Sequence, residues 1–212
     1  IDVEYEELPV VFDPEEAMSP GAPQLHEEVR NIREPARVRA GNIEDGLKDA
    51  DYIVNGRFQT TKQAHVCLDT HGCLSSYNPA TGKLTHWTPT QYVFFTRIDL
   101  ADALGMPASR VRVINPAAIG GAFGSKCITA SYDICAALTS IKLGKPVKVI
   151  LSREEEFMAT RTRHPFIIEA EVGLNKDGTI VAWRQKVILD MGAYADWGPW
   201  VALTAQRLSP GP

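Results

Sequence analysis

Strand-like and helix-like segments alternate along most of this 212-residue chain, which predicts a mixed α/β (α+β) fold. Three stretches carry the prediction. "TASYDICAALTSIKLGKP" (129–146) sets Ile134, Leu138 and Ile141 at helical spacing, ends on Gly144 and cannot continue past Pro146. "FIIEAEVGL" and "TIVAWRQKVILD" read as strands on either side of "NKDG", a hairpin turn. "RVRVINPAAIGGAFGSK" passes from an alternating strand into a glycine loop that leads to the 129–146 helix.

The other elements follow in chain order. Residues 1–12 alternate Val3, Tyr5 and Leu8 with acids and read as a strand. Residues 13–41 hold four prolines and many charges without periodicity, so they read as a surface linker and a domain boundary. A short helix over 41–50 is capped by Asn42, with acids in its first turns. Residues 51–61 and 65–77 read as strands, and "NPATGK" (78–83) turns into "LTHWTP" (84–89). The 91–105 segment has Phe94, Ile98 and Ala101 at helical spacing, with Gly105 as its stop. Strands over 110–115 and 147–152 and a short helix over 153–160 complete the pass, with no internal repeat.

Composition narrows the function classes. With 44% hydrophobic and 23% charged residues the chain is globular, and its net charge of −4 gives no electrostatic reason to bind nucleic acid. No apolar run suits a bilayer span. Four cysteines (67, 73, 127, 135) are too few for a disulfide scaffold of this size and point to a reduced, cytoplasmic setting. Both ends read as cut, so a fragment of a longer polypeptide is expected.

Four motifs suggest chemistry, each with a plainer reading. Gly120, Gly121 and Gly124 permit either a tight turn or close approach of a polar ligand. The loop is not a phosphate-binding P-loop, because Ser125 stands in place of the second glycine and Cys127 follows Lys126. Its spacing does not fit the dinucleotide fingerprint either, and as a glycine pattern alone it reads as a structural turn. His65, Cys67, His71 and Cys73 share a face of an extended strand, but residues 65 and 73 would then lie about 26 Å apart, too far for one zinc ion unless Gly72 folds the strand back, so they read as ordinary packing. Arg161, Arg163 and His164 read as a solvated basic turn, with an anion contact as the alternative. Cys127 reads as a structural cysteine, with a reactive thiol as the alternative. No Ser–His–Asp arrangement is supported by spacing.

Taken in order, "HVCLD" (65–69), "WTPTQ" (87–91), "RVRVINPAAIGGAFGSK", "GKPVKVILSREEEF", "TRHPF" and "KDGTIVAWRQKVILDMGAY" resemble the molybdenum hydroxylases. These are the large subunits of xanthine dehydrogenase, aldehyde oxidase and carbon monoxide dehydrogenase. The resemblance covers 42–195 most strongly, and the C-terminal hairpin is nearer the 4-hydroxybenzoyl-CoA reductase branch. It implies that 42–212 is the first part of a molybdopterin-binding domain with mixed sheets and packed helices. Residues 13–41 would be the linker, and 1–12 the last strand of a preceding α/β hammerhead-like domain. It also implies a cofactor contact by Gln91, whose counterpart amide donates to a molybdenum oxygen, and by Gly120, Gly121, Ala122, Phe123 and Gly124. No residue of the chain is expected to ligate the metal, and the family's base glutamate lies beyond residue 212.

The implied cofactor is a molybdenum–pterin, its cytosine dinucleotide form among the alternatives, with iron–sulfur clusters and FAD on partner subunits or domains. The implied partners are those subunits, the remainder of the molybdenum subunit and a small aldehyde, aromatic or N-heterocyclic substrate, with no nucleic acid and no membrane. Cys127 stands where purine oxidisers of the family carry a substrate-binding glutamate, which argues against xanthine. The opposing reading is a truncated, non-catalytic fragment or assembly module without bound cofactor.

Overall fold

The computed structural model describes residues 2–33 and 36–208. The chain divides into two compact units, Gln63–Arg163 and the residues on either side of that segment.

The flanking unit is built on a three-stranded antiparallel sheet in the order β1 (Tyr52–Gln59), β8 (Phe166–Leu174), β9 (Ile180–Leu189). The "NKDG" turn joins the last two strands as expected. A register shift at Gly173/Leu174 inserts one extra residue there. Helix α2 (Ile43–Asp49) is capped by the Asn42 side chain, which accepts the Glu44 N–H. The helix lies close on the sheet because two glycines leave room. A Cβ on Gly46 would sit 2.7 Å from the Val181 carbonyl, and one on Gly173 would sit 3.0 Å from Ala50 Cβ. Leu47, Ile167, Ala182 and Ile188 are the buried hydrophobic residues of this unit among those described.

Three features of this unit differ from expectation. Residues 2–12 carry no strand, and Val3, Tyr5, Leu8, Val10 and Phe12 are exposed. A strand is defined by its ladder, and among the described residues nothing pairs with this segment. The linker holds one turn of helix, α1 (Pro14–Ala17), because Asp13 caps two N–H groups ahead of a proline at the first turn. An unanticipated helix, α6 (Gly198–Leu208), follows the hairpin.

In the inner unit a four-stranded sheet runs in the order β5 (Val111–Ile114), β4 (Lys83–Trp87), β3 (Gly72–Asn78), β6 (Val147–Ile150). β4 and β5 are parallel and the other pairs antiparallel. Helices α3 (Val93–Ala103) and α4 (Ser131–Leu143) pack on this sheet around Leu84, Leu100, Ala101, Val111 and Ala137. Helix α4 ends on Gly144 at φ 60°, as the sequence indicates. Helix α5 (Arg153–Ala159) opens with a reciprocal Ser152–Glu155 cap. A two-residue pair, β2 (Gln63–Ala64) with β7 (Thr162–Arg163), closes the unit at its ends.

The helix faces differ from those the periodicity suggests. In α3 the buried residues are Thr96, Leu100 and Ala101, while Phe94 and Ile98 are exposed. In α4 they are Asp133, Ala136, Ala137 and Ser140, while Leu138 is exposed. Small residues let α4 approach the sheet, where Ser140 Oγ accepts the Tyr77 N–H at 2.9 Å. The strand expected over 65–77 is also shortened, since only Gly72–Asn78 is strand in that range and Val66 turns at φ 50°.

Candidate functional site

The parallel pair β4–β5 sends both of its following connections to the same sheet edge, the carboxyl end of parallel strands where α/β sheets collect ligands. Side chains and backbone join the two connections. The Thr88 N–H donates to the Ile114 carbonyl at 3.2 Å. Asn115 exchanges bonds with Thr90, donating from Nδ2 at 3.0 Å and accepting its N–H at 3.2 Å. The Gln91 N–H then donates to the Lys126 carbonyl at 2.8 Å. Residues 91 and 119–126 are therefore brought together by strand order rather than by nearness in sequence.

Backbone conformation in the loop is unusual. Gly120 (φ 61°), Gly121 (φ 89°), Phe123 (φ 50°) and Gly124 (φ 98°) are all left-handed. Phenylalanine adopts such a φ rarely and at a cost of about 1–2 kcal/mol, and here its ring is largely exposed. Ala122, between two left-handed residues, is in the ordinary region. Alternation of left-handed and ordinary residues is the backbone pattern from which anion-binding concavities of N–H groups are built. Among the described residues the N–H groups of Gly121, Ala122 and Phe123 have no protein acceptor, whereas Gly124 and Ser125 use theirs on Gln91 and Ala122. The exposed Gln91 completes the arrangement. Its Oε1 accepts the Gly124 N–H at 3.1 Å and the Cys127 thiol at 3.1 Å, which leaves Nε2 a neutral donor without an acceptor among the described residues.

A buried layer holds the loop from beneath. Lys126 is only 2% exposed, yet its ammonium donates to the carbonyls of Ile119 (2.6 Å) and Asp69 (3.0 Å). Asp69 in turn donates its N–H to the Gly120 carbonyl. Buried Cys67 lies 3.5 Å from the Ala122 carbonyl and 3.3 Å from Ser125 Oγ. Glu156 accepts both the backbone N–H and Nδ1 of buried His71, each at 2.7 Å, and His71 Nε2 reaches the Ser125 carbonyl at 3.3 Å.

The four residues weighed as zinc ligands go to separate partners. His65 Nδ1 donates to the Arg161 carbonyl, and burial holds this imidazole below its usual range. Cys67 and His71 support the glycine loop, and Cys73 lies beside His86 and Asp133 in the core. That last trio is closed. His86 bonds Ser75 and Asp133, the second Asp133 oxygen accepts the Ala130 N–H, and burial pushes the Cys73 thiol up to about 12. The zinc quartet is therefore absent among the described residues because the chain bends, and not because an extended strand spreads it. Of the "RTRHPF" cluster, Arg163 lies on β7 and Arg161 is half-buried. Arg161 also lines a cavity of about 230 Å³ with His71, Ser125, Thr129 and Tyr132.

In the other unit a trough of about 570 Å³ crosses β1, β8 and β9. Its charges are mutually paired, Arg57 and Lys186 with Glu169, and Arg184 with Glu171.

Sequence reasoning singled out Gln91 and 120–124 but missed Asn115, Asp69 and Lys126 as their supports. All three stand inside quoted motifs. Nothing local marks a lysine for burial against the carbonyls of Asp69 and Ile119, which lie far apart in sequence.

Comparisons with known proteins bear on this geometry. The family model described as the molybdopterin cofactor-binding domain matches residues 25–212. The xanthine dehydrogenase molybdenum-binding subunit of Escherichia coli O157:H7 is 37% identical over 202 residues, covering 95% of this chain and 26% of that protein. The nicotinate dehydrogenase large molybdopterin subunit of Eubacterium barkeri is 34% identical over 212 residues, covering 100% of this chain and 49% of that protein. Among solved structures, the aldehyde oxidoreductase of Desulfovibrio gigas superposes with a TM-score of 0.85 at 22% identity, over 96% of this chain and 22% of that one. The carbon monoxide dehydrogenase of Oligotropha carboxidovorans gives 0.74 at 30% identity, over 92% and 27%. The chain thus spans from about a fifth to about half the length of these four proteins.

Proposed function

The chain belongs to the molybdenum hydroxylase large subunits, which it matches through their molybdopterin cofactor-binding domain, and on that premise we propose that its β4–α3 and β5–α4 connections form one wall of a molybdenum–pterin site. The observation that carries the reading is the Gln91 amide, whose oxygen is consumed by Gly124 and Cys127 while Nε2 remains available. The residues fit the group. A neutral donor does not titrate, and the loop adds backbone N–H groups without adding charge. When bound, the molybdenum–pterin supplies the redox chemistry of hydroxylation, and the protein's part is to position and tune it.

Each residue then has a defined task. Gln91 donates from Nε2 to an oxygen acceptor of the group. The N–H groups of Gly121, Ala122 and Phe123 line its approach, and Gly120 and Gly124 set the turn that exposes them. Lys126 and Asp69 hold the loop's two ends from beneath. The whole protein is read as an oxidoreductase acting on a small aldehyde, aromatic or N-heterocyclic substrate. Its partners are the remainder of the molybdenum subunit and iron–sulfur and flavin subunits or domains, in the cytoplasm. In this reading residues 1–12 end a preceding domain and 42–212 begin the cofactor domain.

The test is Gln91→Ala in the complete enzyme. Molybdenum content and circular dichroism should stay as in wild type, while kcat falls about 100-fold, because a donor aimed at developing charge acts in the transition state. An unchanged kcat with the metal in place would end the reading.

A further inference from the structure

A primary amide offers a donor and an acceptor that exchange places by a half-turn of one bond. In Gln91 two donors meet on the same atom, since the Gly124 N–H and the Cys127 thiol each lie 3.1 Å from Oε1. Turning the amide over would set its NH2 against both of them, donors facing a donor. We propose that Cys127 is a positioning residue, whose thiol proton helps lock the Gln91 oxygen inward so that Nε2 faces the site. This rests on the role proposed for Gln91 and goes beyond it, because Cys127 would act without touching the group.

The surroundings suit a thiol that keeps its proton. Burial pushes the Cys127 thiol up, although the Arg161 charge pulls the other way. Cys127 is half-buried, so its sulfur is sheltered and still open to a small reagent. The donor is what matters at this position.

Two measurements test this separately. The first needs no cofactor and reads the pH midpoint for alkylation of Cys127 by iodoacetamide, followed by mass spectrometry. An S–H···O bond favours the protonated thiol, so Gln91→Ala should lower the midpoint by about one pH unit. A midpoint that does not move in Gln91→Ala overturns the proposal. The second uses the loaded enzyme. Cys127→Ala should lower kcat about tenfold with KM little changed, and Cys127→Ser, which restores a donor, should recover most of that loss. Wild-type kcat in Cys127→Ala, with Gln91→Ala impaired, overturns the positioning role alone. Wild-type kcat in Gln91→Ala overturns the functional reading and this role with it.

Discussion

At the scale of single residues, the glycines of the loop are needed for different reasons. Gly120 combines φ 61° with a space already filled, since a Cβ there would lie 2.2 Å from Asp69 Cγ and 2.3 Å from Asp69 Cβ. Rotating the Asp69 side chain cannot relieve a clash with its Cβ, so the Asp69–Gly120 backbone bond would have to open. Gly124 has an even larger positive φ of 98°, but its nearest neighbour, His65 Nε2, would be at 3.6 Å, an ordinary contact. We therefore expect Gly120→Ala to destabilise by roughly 2–4 kcal/mol and Gly124→Ala by only about 1–2 kcal/mol in urea unfolding. Equal losses would show that φ alone, and not the Asp69 contact, sets the requirement.

His65 supports a prediction about pH. Burial, the largest cause, lowers its folded-state pKa, and the bond to the Arg161 carbonyl only partly offsets this. The unfolded chain therefore takes up this proton more readily than the folded one. Stability from this group is complete above the unfolded value near 6.5 and is lost as pH falls through the lower folded value. The melting temperature should drop on acidification from neutral pH toward 5, and His65→Gln should flatten that drop. An unchanged acid limb in the variant would remove His65 as its cause.

At the scale of elements, α2 pits helix propensity against packing. Gly46 lies inside this helix, where alanine would gain about 1 kcal/mol of intrinsic helix stability. The new methyl would meet the Val181 carbonyl at 2.7 Å and Ala182 Cβ at 3.2 Å, and both belong to a paired strand. Overpacking against backbone typically costs 1–3 kcal/mol, enough to cancel or exceed the gain. Gly46→Ala is therefore expected to lower the thermal midpoint, and a raised midpoint would mean that α2 can lift off the sheet at little cost. The same logic accounts for the misread faces of α3 and α4. Close approach selects Ala101, Ala136, Ala137 and Ser140, and a search for large apolar residues at helical spacing passes over them.

For the whole molecule, the proposed site is one-sided. Gln91 and Phe123 are exposed, with the Phe123 side 64% accessible, so these connections form an open wall and not an enclosed pocket. A large pterin cofactor bound on one side would leave much of its surface in water, and small-molecule sites normally bury most of their ligand. The 212-residue chain purified alone should accordingly hold far less than one molybdenum per chain, while the complete enzyme holds about one, both by elemental analysis. One metal per isolated chain would contradict the open wall. A complete protein without metal would favour the assembly-module reading.

Local signals were enough wherever an element is decided within a few residues. Asn42 caps α2, Ser152 and Glu155 cap α5, Gly144 and Pro146 stop α4, and "NKDG" turns the hairpin, each through bonds spanning at most four or five positions. The ordered motifs likewise carried the family and pointed to Gln91 and the 120–124 loop before any contact was visible. What remained hidden depends on residues far apart in the chain. Val66 turns because Cys67, Asp69 and His71 are drawn to Ala122, Lys126 and Glu156. The orientation of Gln91 depends on donors 33 and 36 positions away. Alternation and helical spacing report which side of an element is apolar, but only the packed sheet determines how closely a helix may approach and which polar atoms must meet beneath it. That is why the sequence alone could single out the loop as a candidate, and the tertiary structure was needed to reveal the buried lysine under it and the thiol that faces Gln91.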